Sequence, residues 1–488
     1  ESKYLAQLPV AKIVSTNKEY LTLQAAFDES ESGDTIQLLR NVTTLSTSQS
    51  TTILEEKNVI LDLNGYTMNS STPKTFINNG TLKIVDSSEE KQGSLIGTGV
   101  KLIENNNSLN IEEAKLSTLL TSPQVIDNKG TVIINNSTIT AVNTENGAIN
   151  NEENAVLKVT GSTISKTGAA GNTILNSGTA TFDNTKFSNN SNDYAIYNNS
   201  TGNIIINGET YSGGRFIYNK GTGTINDLVT MGNIVNYSGV LNLNNVEESN
   251  NVENSRNDGT INITGGKYSG QIYNYGNSNI SDATIKTYYT GIYNYDTGTV
   301  NIEDTTIESQ NNEAIYNSGT GIVNIKNSIV KTRYYSINNW STGTINIKEG
   351  TTVTSSENHG IYNDSTGIIN IGEKDGNVSV DSPIITGKTY GIYNSDNGIF
   401  NFYDGVITGE TGATYGKVTE VEPGYKINIT DNEDGTKSAT LTPIGDEARV
   451  AVINKINFGD LQSAINYAPD NATSNITIYA NITLDSNI

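Results

Sequence analysis

Along most of the chain apolar and polar residues alternate with a period of two, in short runs closed by polar turns. In GIYNYDTGTVNI, residues 291–302, Ile292 and Asn294 share one parity and Val300 and Ile302 share the next, and Ile307 closes the unit in DTTIES. Residues of one parity lie on one face of a strand, so each unit predicts short strands half buried along one side. Helical repeats are excluded, because the runs are rich in β-branched residues and broken by TGT, SGT or STG. About three strands per unit result.

The unit recurs as AIYNSGTGIVNI, SINNWSTGTINI and GIYNDSTGIINI. An aliphatic residue, any residue and then Asn return at Asn79, Asn105, Asn128, Asn151, Asn176, Asn198, Asn219, Asn236, Asn254, Asn274, Asn294, Asn317, Asn339, Asn363 and Asn394. A spacing of 17 to 31 residues is a solenoid period. Stacked coils place each strand parallel to its successor at about 4.8 Å, with aliphatic columns inside and backbone hydrogen bonds along the axis. Asn tolerates left-handed backbone angles, so it is expected to turn the chain after each first strand while its amide pairs with the Asn above and below.

These residues resemble the right-handed parallel β-helix of the pectate-lyase-like superfamily. More closely, ILDLNGYTM at 60–68, FINNGTLKIVDSS at 76–88 and the Asn copies are similar to β-helical modules of large surface proteins of low-GC Gram-positive bacteria. The resemblance spans roughly residues 10–410 and implies an all-β, right-handed solenoid of about fifteen three-strand coils. It also implies secretion and attachment to the cell wall through parts outside this sequence.

Composition fits an extended, narrow core: 34% of residues are hydrophobic and 17% charged, with 46 Gly, 7 Pro and no Cys. A net charge of −22 argues against nucleic acid or an anionic membrane surface as partner. Without cysteine there is no disulfide framework, thiolate nucleophile or thiolate metal site. No run of about 18 apolar residues predicts a membrane span.

The ends read differently from the middle. After a linker at 1–9, residues 10–43 predict a cap: a short helix around Leu21 to Phe27, a turn at Ser32-Gly33-Asp34 and a strand. The β-helix itself is expected over 44–410, followed at 411–449 by a β-hairpin cap, with GYKINITDNEDGTKSATLTPI as two strands around an Asp-Gly turn, and a linker. Residues 450–488 repeat the opening, Leu461-Gln462 answering Leu23-Gln24, and are expected to start a second, truncated module of a longer chain.

Candidate chemistry is sparse. Hydrolysis of a glycosidic bond needs paired carboxylates, and lyases of the resembled fold use acids that hold calcium with an Arg or Lys base. Neither set stands out. His359, the one histidine, reads as solvent-facing, TDNEDGTK at 430–437 as a turn, since Thr430 occupies the first place of a calcium loop, and Asp296, Glu303 and Asp304 as solubilising acids.

The strongest functional signal is aromatic. Tyr197, Tyr218, Tyr273, Tyr293, Tyr316, Tyr362 and Tyr393 occupy the position before the recurring Asn, joined nearby by Tyr237, Tyr275, Tyr295 and Trp340. Glu104, Asp127 and Glu253 hold the same position, which is therefore expected to face water; Val235, Glu253 and Asn338 interrupt the series. Such rings either stack to stabilise the sheet or form a ribbon for sugars or a partner's apolar groups. The candidate ligand-binding set is thus these seven tyrosines with Trp340.

The reading is a non-catalytic, extracellular stalk or adhesin, not an enzyme, needing no cofactor or metal. It would bind glycans or host or neighbour surface proteins as a monomer within a multi-module chain. A polysaccharide lyase or glycoside hydrolase of the same fold is the first alternative, and a phage tail spike, normally a trimer, the second.

Overall fold

In the computed structural model residues 8–482 are described, apart from 46–47, 100, 120–123, 143–146, 169, 190–192, 212, 250–254 and 471–472. The chain divides into two units, residues 1–262 and 263–488. Each is an all-β parallel solenoid, and among the described residues the helices are the two short ones at Leu23–Glu29 and Leu461–Tyr467.

Every full coil has three strands on three faces. In unit 2 a representative coil runs Ile292–Asp296 on the first face, Thr299–Glu303 on the second and Thr306–Ser309 on the third. Each strand pairs in parallel with its equivalent one coil on, without slippage: Ile292 with Ile315, Val300 with Val323 and Ile307 with Val330. The inward columns Ile292, Ile315, Ile337, Ile361 and Ile392 and Val300, Val323, Ile345, Ile369 and Phe400 are fully buried. Because side-chain period is two, a one-residue slip would turn every such column outward, which is what locks the register.

Unit 1 follows the same plan, with Ile126, Ile149, Ile174, Ile196 and Ile217 in one buried column. It opens on strands Ala11–Ile13 and Lys18–Tyr20, paired antiparallel, and the helix Leu23–Glu29. Thr22 caps that helix by accepting the Ala25 N–H at 3.2 Å, so the helix begins two residues beyond Leu21, which stays exposed. Phe27 packs edge-on against Phe76 of the first face, at 6.5 Å.

The buried asparagine ladder holds the corner after the first face. In unit 1 it runs Asn78, Asn105, Asn128, Asn151, Asn176, Asn198, Asn219, Asn236 and Asn257, each Nδ2 donating to the next Oδ1 at 2.7–2.8 Å. In unit 2 it runs Asn274, Asn294, Asn317, Asn339, Asn363 and Asn394 at 2.7–2.9 Å. The second amide proton goes to a backbone carbonyl, as from Asn294 to Gly298 O at 2.7 Å.

Two ladder positions and one backbone expectation are corrected. Asn78, not Asn79, makes the rung, because Phe76 occupies the inward place that Ile103 holds in the next coil. Asn257 makes the rung expected at Asn254, a residue that with Glu253 lies outside the described residues; Ser255 replaces the aliphatic there and erases the signal. The ladder asparagines are not left-handed; a recurring left-handed residue sits instead at the corner between second and third faces. There Asn136, Asn184, Asp227, Asn245, Asp282, Asp304 and Asn327 have φ of 45° to 54°. The residue after each is often Ser or Thr, forming a second buried ladder: Ser328 Oγ accepts the Thr305 N–H at 3.1 Å.

Unit 2 ends on the antiparallel hairpin Tyr425–Asp431 and Lys437–Pro443, whose second strand pairs with Val406–Gly409 and covers the third-face edge. Asp434 accepts from the N–H and hydroxyl of Thr436 at 2.9 and 2.7 Å in the turn between them. Beyond it, Ala451–Ile453 pairs antiparallel with Ile456–Phe458 and the helix Leu461–Tyr467 is capped by Asp460.

Candidate functional site

The first-face position before the ladder Asn points outward, and the tyrosines there stack along the strand spacing. In unit 1 Tyr197 and Tyr218 lie 5.1 Å apart and nearly parallel, with Tyr237 5.4 Å from Tyr218. Lys220 places its ammonium 5.4–5.8 Å from all three rings, a cation–π contact.

Unit 2 holds two clusters. Tyr273 stacks on Tyr293 at 4.8 Å, Tyr316 meets Tyr293 edge-on at 5.7 Å, and Tyr275, Tyr295 and Trp340 flank them. Tyr362 and Tyr393 continue the position beyond Asn338, and Tyr415, which the sequence reading missed, extends it at 4.4 Å from Tyr393. Asn338 is buried, and its amide donates to Glu313 at 3.3 Å. Many ring faces are thus turned to other rings, and the Tyr362 hydroxyl donates to Asp364 at 2.6 Å. Trp340 is 51% exposed, and Tyr237 and Tyr415 are also open at 47% and 42%. Burial first, then neighbouring tyrosines, pushes the Tyr295 hydroxyl up to about 12.

Two expectations about this face change. Glu104 and Asp127 are buried rather than water-facing, because lysines of adjacent coils cover them: Lys74 reaches Glu104 at 2.8 Å and Lys101 pairs with Asp127. His359 is not solvent-facing. It stacks on Tyr335, Tyr362 and Tyr393 at 5.5, 5.7 and 5.0 Å, and its Nδ1 shares a 2.6 Å hydrogen bond with the Thr389 hydroxyl. Burial lowers its pKa to about 4. As the one histidine it is directly readable by NMR titration, which is expected to show a midpoint near 4; a midpoint near the ordinary 6.5 would remove the cluster as drawn.

A second feature had no sequence signal. On the third face of unit 2, Glu308, Lys331 and Thr354 hold in-register outward positions in successive coils. With the loops that follow those strands they line a groove of about 640 Å³, walled by Tyr288, Gln310, Asn311 and Arg333. Lys331 and Lys286 both pair with Glu308, at 3.1 and 3.3 Å, and Arg333 forks onto Glu357 with contacts of 2.6 and 2.9 Å. Burial opposes the charge on Glu308, but the two ammonium groups outweigh it and hold the carboxyl below its usual range. Three cations thus face two carboxylates, on a chain of net charge −22. The lining carries hydroxyls, amides and charges, one half-exposed tyrosine ring and no aliphatic side chain.

No protein-family model matches the chain, and no curated protein does. Among solved structures it matches a point mutant of a periplasmic alginate epimerase, at 11% identity over 80% of this chain and 84% of that one, with a TM-score of 0.23. The matched protein is an enzyme, which runs against the expectation that this chain is not one. At that identity and TM-score the likeness assigns no activity and no residue to this chain. Absence of a contiguous motif was a poor guide, because outward groups of a solenoid converge from coils some 22 residues apart.

Proposed function

We propose that the protein is an extracellular, polysaccharide-directed β-helix that holds an acidic sugar chain in the third-face groove of unit 2. The observation carrying this reading is the lining of that groove. Its density of hydroxyls and amides suits the hydroxyls of a sugar, the Tyr288 ring offers a face for a pyranose, and the excess of cations attracts uronate carboxylates. The rungs repeat at about 4.8 Å, comparable to the length of one pyranose in an extended chain, so successive sugars can meet successive coils.

The tyrosine positions Tyr197, Tyr218, Tyr273, Tyr293, Tyr316, Tyr362 and Tyr393 brace the first face by stacking. Trp340 supplies the open ring surface at which that face would meet a glycan. The surface-adhesin setting and the reading of residues from Val450 as the opening of a further module belong to the same proposal. The second is supported by the shared order of paired strands and capped helix in Ala11–Glu29 and Ala451–Tyr467.

Calorimetric titration with polygalacturonate, alginate and dextran tests the groove. The expected result is binding of an acidic polymer but not of dextran. It should weaken about 10-fold in a Lys331→Ala/Arg333→Ala variant and fall as salt rises. Equal binding by that variant, or a preference for dextran, would sink the reading. The same mixtures, followed by NMR for changed C5 configuration and by absorbance for unsaturated chain ends, report whether the bound chain is modified.

A further inference from the structure

The second face of unit 2 carries a feature that the groove does not use. At the middle outward position of successive strands stand Asn279, Asn301, Asn324, Asn346, Asn370 and Asn401, in register. Their amides form an outer row, each Nδ2 donating to the Oδ1 of the preceding coil at 2.7–2.8 Å. Unlike the buried ladder, which gives its second amide proton to a backbone carbonyl, Asn301, Asn324, Asn346 and Asn370 are half-buried. Each keeps one N–H and one oxygen lone pair toward water.

Two residues earlier on the same strands lies a parallel row of β-branched side chains, Thr299, Ile322, Thr344, Ile368 and Ile399. The two rows are about 6.6 Å apart and each repeats at about 4.8 Å. Neither row carries a charge; the outward position beyond the asparagines holds Glu303 and Lys326, paired at 3.1 Å.

We propose that this double row binds packed chains of β-1,4-linked N-acetylglucosamine, one chain per coil. A stack of amides joined by N–H···O=C bonds has the repeat of a β-sheet whether the amides belong to a backbone, to asparagines or to acetamido groups. Acetamido groups of chains packed side by side therefore meet the asparagine row at matching spacing. Each acetamido oxygen, its own N–H already given to the next chain, accepts the remaining N–H of an asparagine; sugar hydroxyls donate to the asparagine oxygen, while sugar C–H groups and acetyl methyls lie on the Thr and Ile row. A glucan lacks the amide, and a single dissolved chain lacks the lateral repeat. The surface thus selects the packed polymer.

Depletion of the purified full chain from solution by chitin powder tests this, with microcrystalline cellulose, peptidoglycan and soluble N-acetylglucosamine hexamer alongside. Binding to chitin is expected to exceed binding to the other three at least 10-fold. An Asn324→Ala/Asn346→Ala variant should lose it by a similar factor. So should a Thr344→Lys/Ile368→Lys variant, which leaves the amides in place and blocks the adjoining row; its circular dichroism and melting should match the parent. The groove variant Lys331→Ala/Arg333→Ala should bind chitin as the parent does. Four outcomes would overturn the proposal: no binding to chitin, equal binding to cellulose or peptidoglycan, undiminished binding by both row variants, or loss of binding in the groove variant alone. If the row only stiffens the sheet, the alanine pair lowers the melting temperature and leaves chitin binding unchanged.

Discussion

An Asn317→Ala protein is expected to melt well below the parent and to be destabilised by about 3 kcal/mol. Asn317 sits fully buried in unit 2, accepts from Asn294 at 2.8 Å, and donates to Asn339 at 2.9 Å and to Gly321 O at 3.1 Å. Alanine removes three hydrogen bonds and leaves a donor on Asn294 and an acceptor on Asn339 with no water to replace them. A solenoid amplifies such a defect, since each coil rests only on its neighbours and the damaged rung weakens both. Asn317→Asp keeps the shape but loses the donors and buries a charge, so it should be no better. Thermal unfolding followed by circular dichroism, with Trp340→Ala as the exposed control, checks this. A melting point within a degree of the parent would show that the ladder contributes nothing net.

Glu209→Gln is expected to stabilise unit 1 at neutral and alkaline pH and to do nothing below about pH 4.5. Glu209 takes the place that Thr185 holds one coil earlier in the Ser/Thr ladder, is buried, and accepts the Thr185 N–H. Burial first, and the nearby charge of Asp183 second, push its carboxyl up to about 8 from 4.5. The sign follows from which state binds more protons. Below pH 4.5 both folded and unfolded chains hold this proton. Between 4.5 and 8 the unfolded chain releases it and the folded chain does not, so stability falls with rising pH by roughly 1.4 kcal/mol per unit, a few kcal/mol in all. Glutamine keeps the shape without ionising, so its stability should be flat over that window. Melting temperatures of both proteins at pH 4.5, 6 and 8 decide it; parallel curves would mean that Glu209 is ionised in the fold.

What could be seen in the sequence was what repeats within one coil. The period-two alternation, the three strands and the asparagine ladder depend on residues a few positions apart, and each appears in a dozen or more copies. Where a copy departs from the pattern the register was misjudged by one rung-forming residue or more. At Asn78 and Asn79 two asparagines compete, and only the fit of Phe76 into the aliphatic column decides. At Ser255-Arg256-Asn257 a serine stands where the aliphatic is expected.

The groove and the outer amide row were not legible for a different reason. Glu308, Lys331 and Arg333 become neighbours through strand register and loop path across coils, neither of which has a local signature. The outer asparagines were in plain view as the repeated V-N-I and I-N-I. No single copy shows that the register puts one directly above another. His359 was misplaced because part of its cover comes from Tyr335 and Tyr393, which stand in the coils before and after its own.

The direction of the backbone hydrogen bonds has a mechanical consequence. Within either unit they run from coil to coil along the solenoid axis rather than across it. A pull on the chain ends along that axis passes through every interface in series, but an outermost coil is bonded on one side only and is the one that can be stripped strand by strand. The coils should therefore peel away one after another at low force. Each release lengthens the tether by the length of that coil, about 75 Å for the 23 residues from Asn294 to Asn317 and more for the 31 from Asn363 to Asn394. Force–extension traces would take the form of a staircase whose steps follow the coil lengths, so the unit would act as a shock absorber that lets out slack in coil-sized lengths and rewinds when the load is removed.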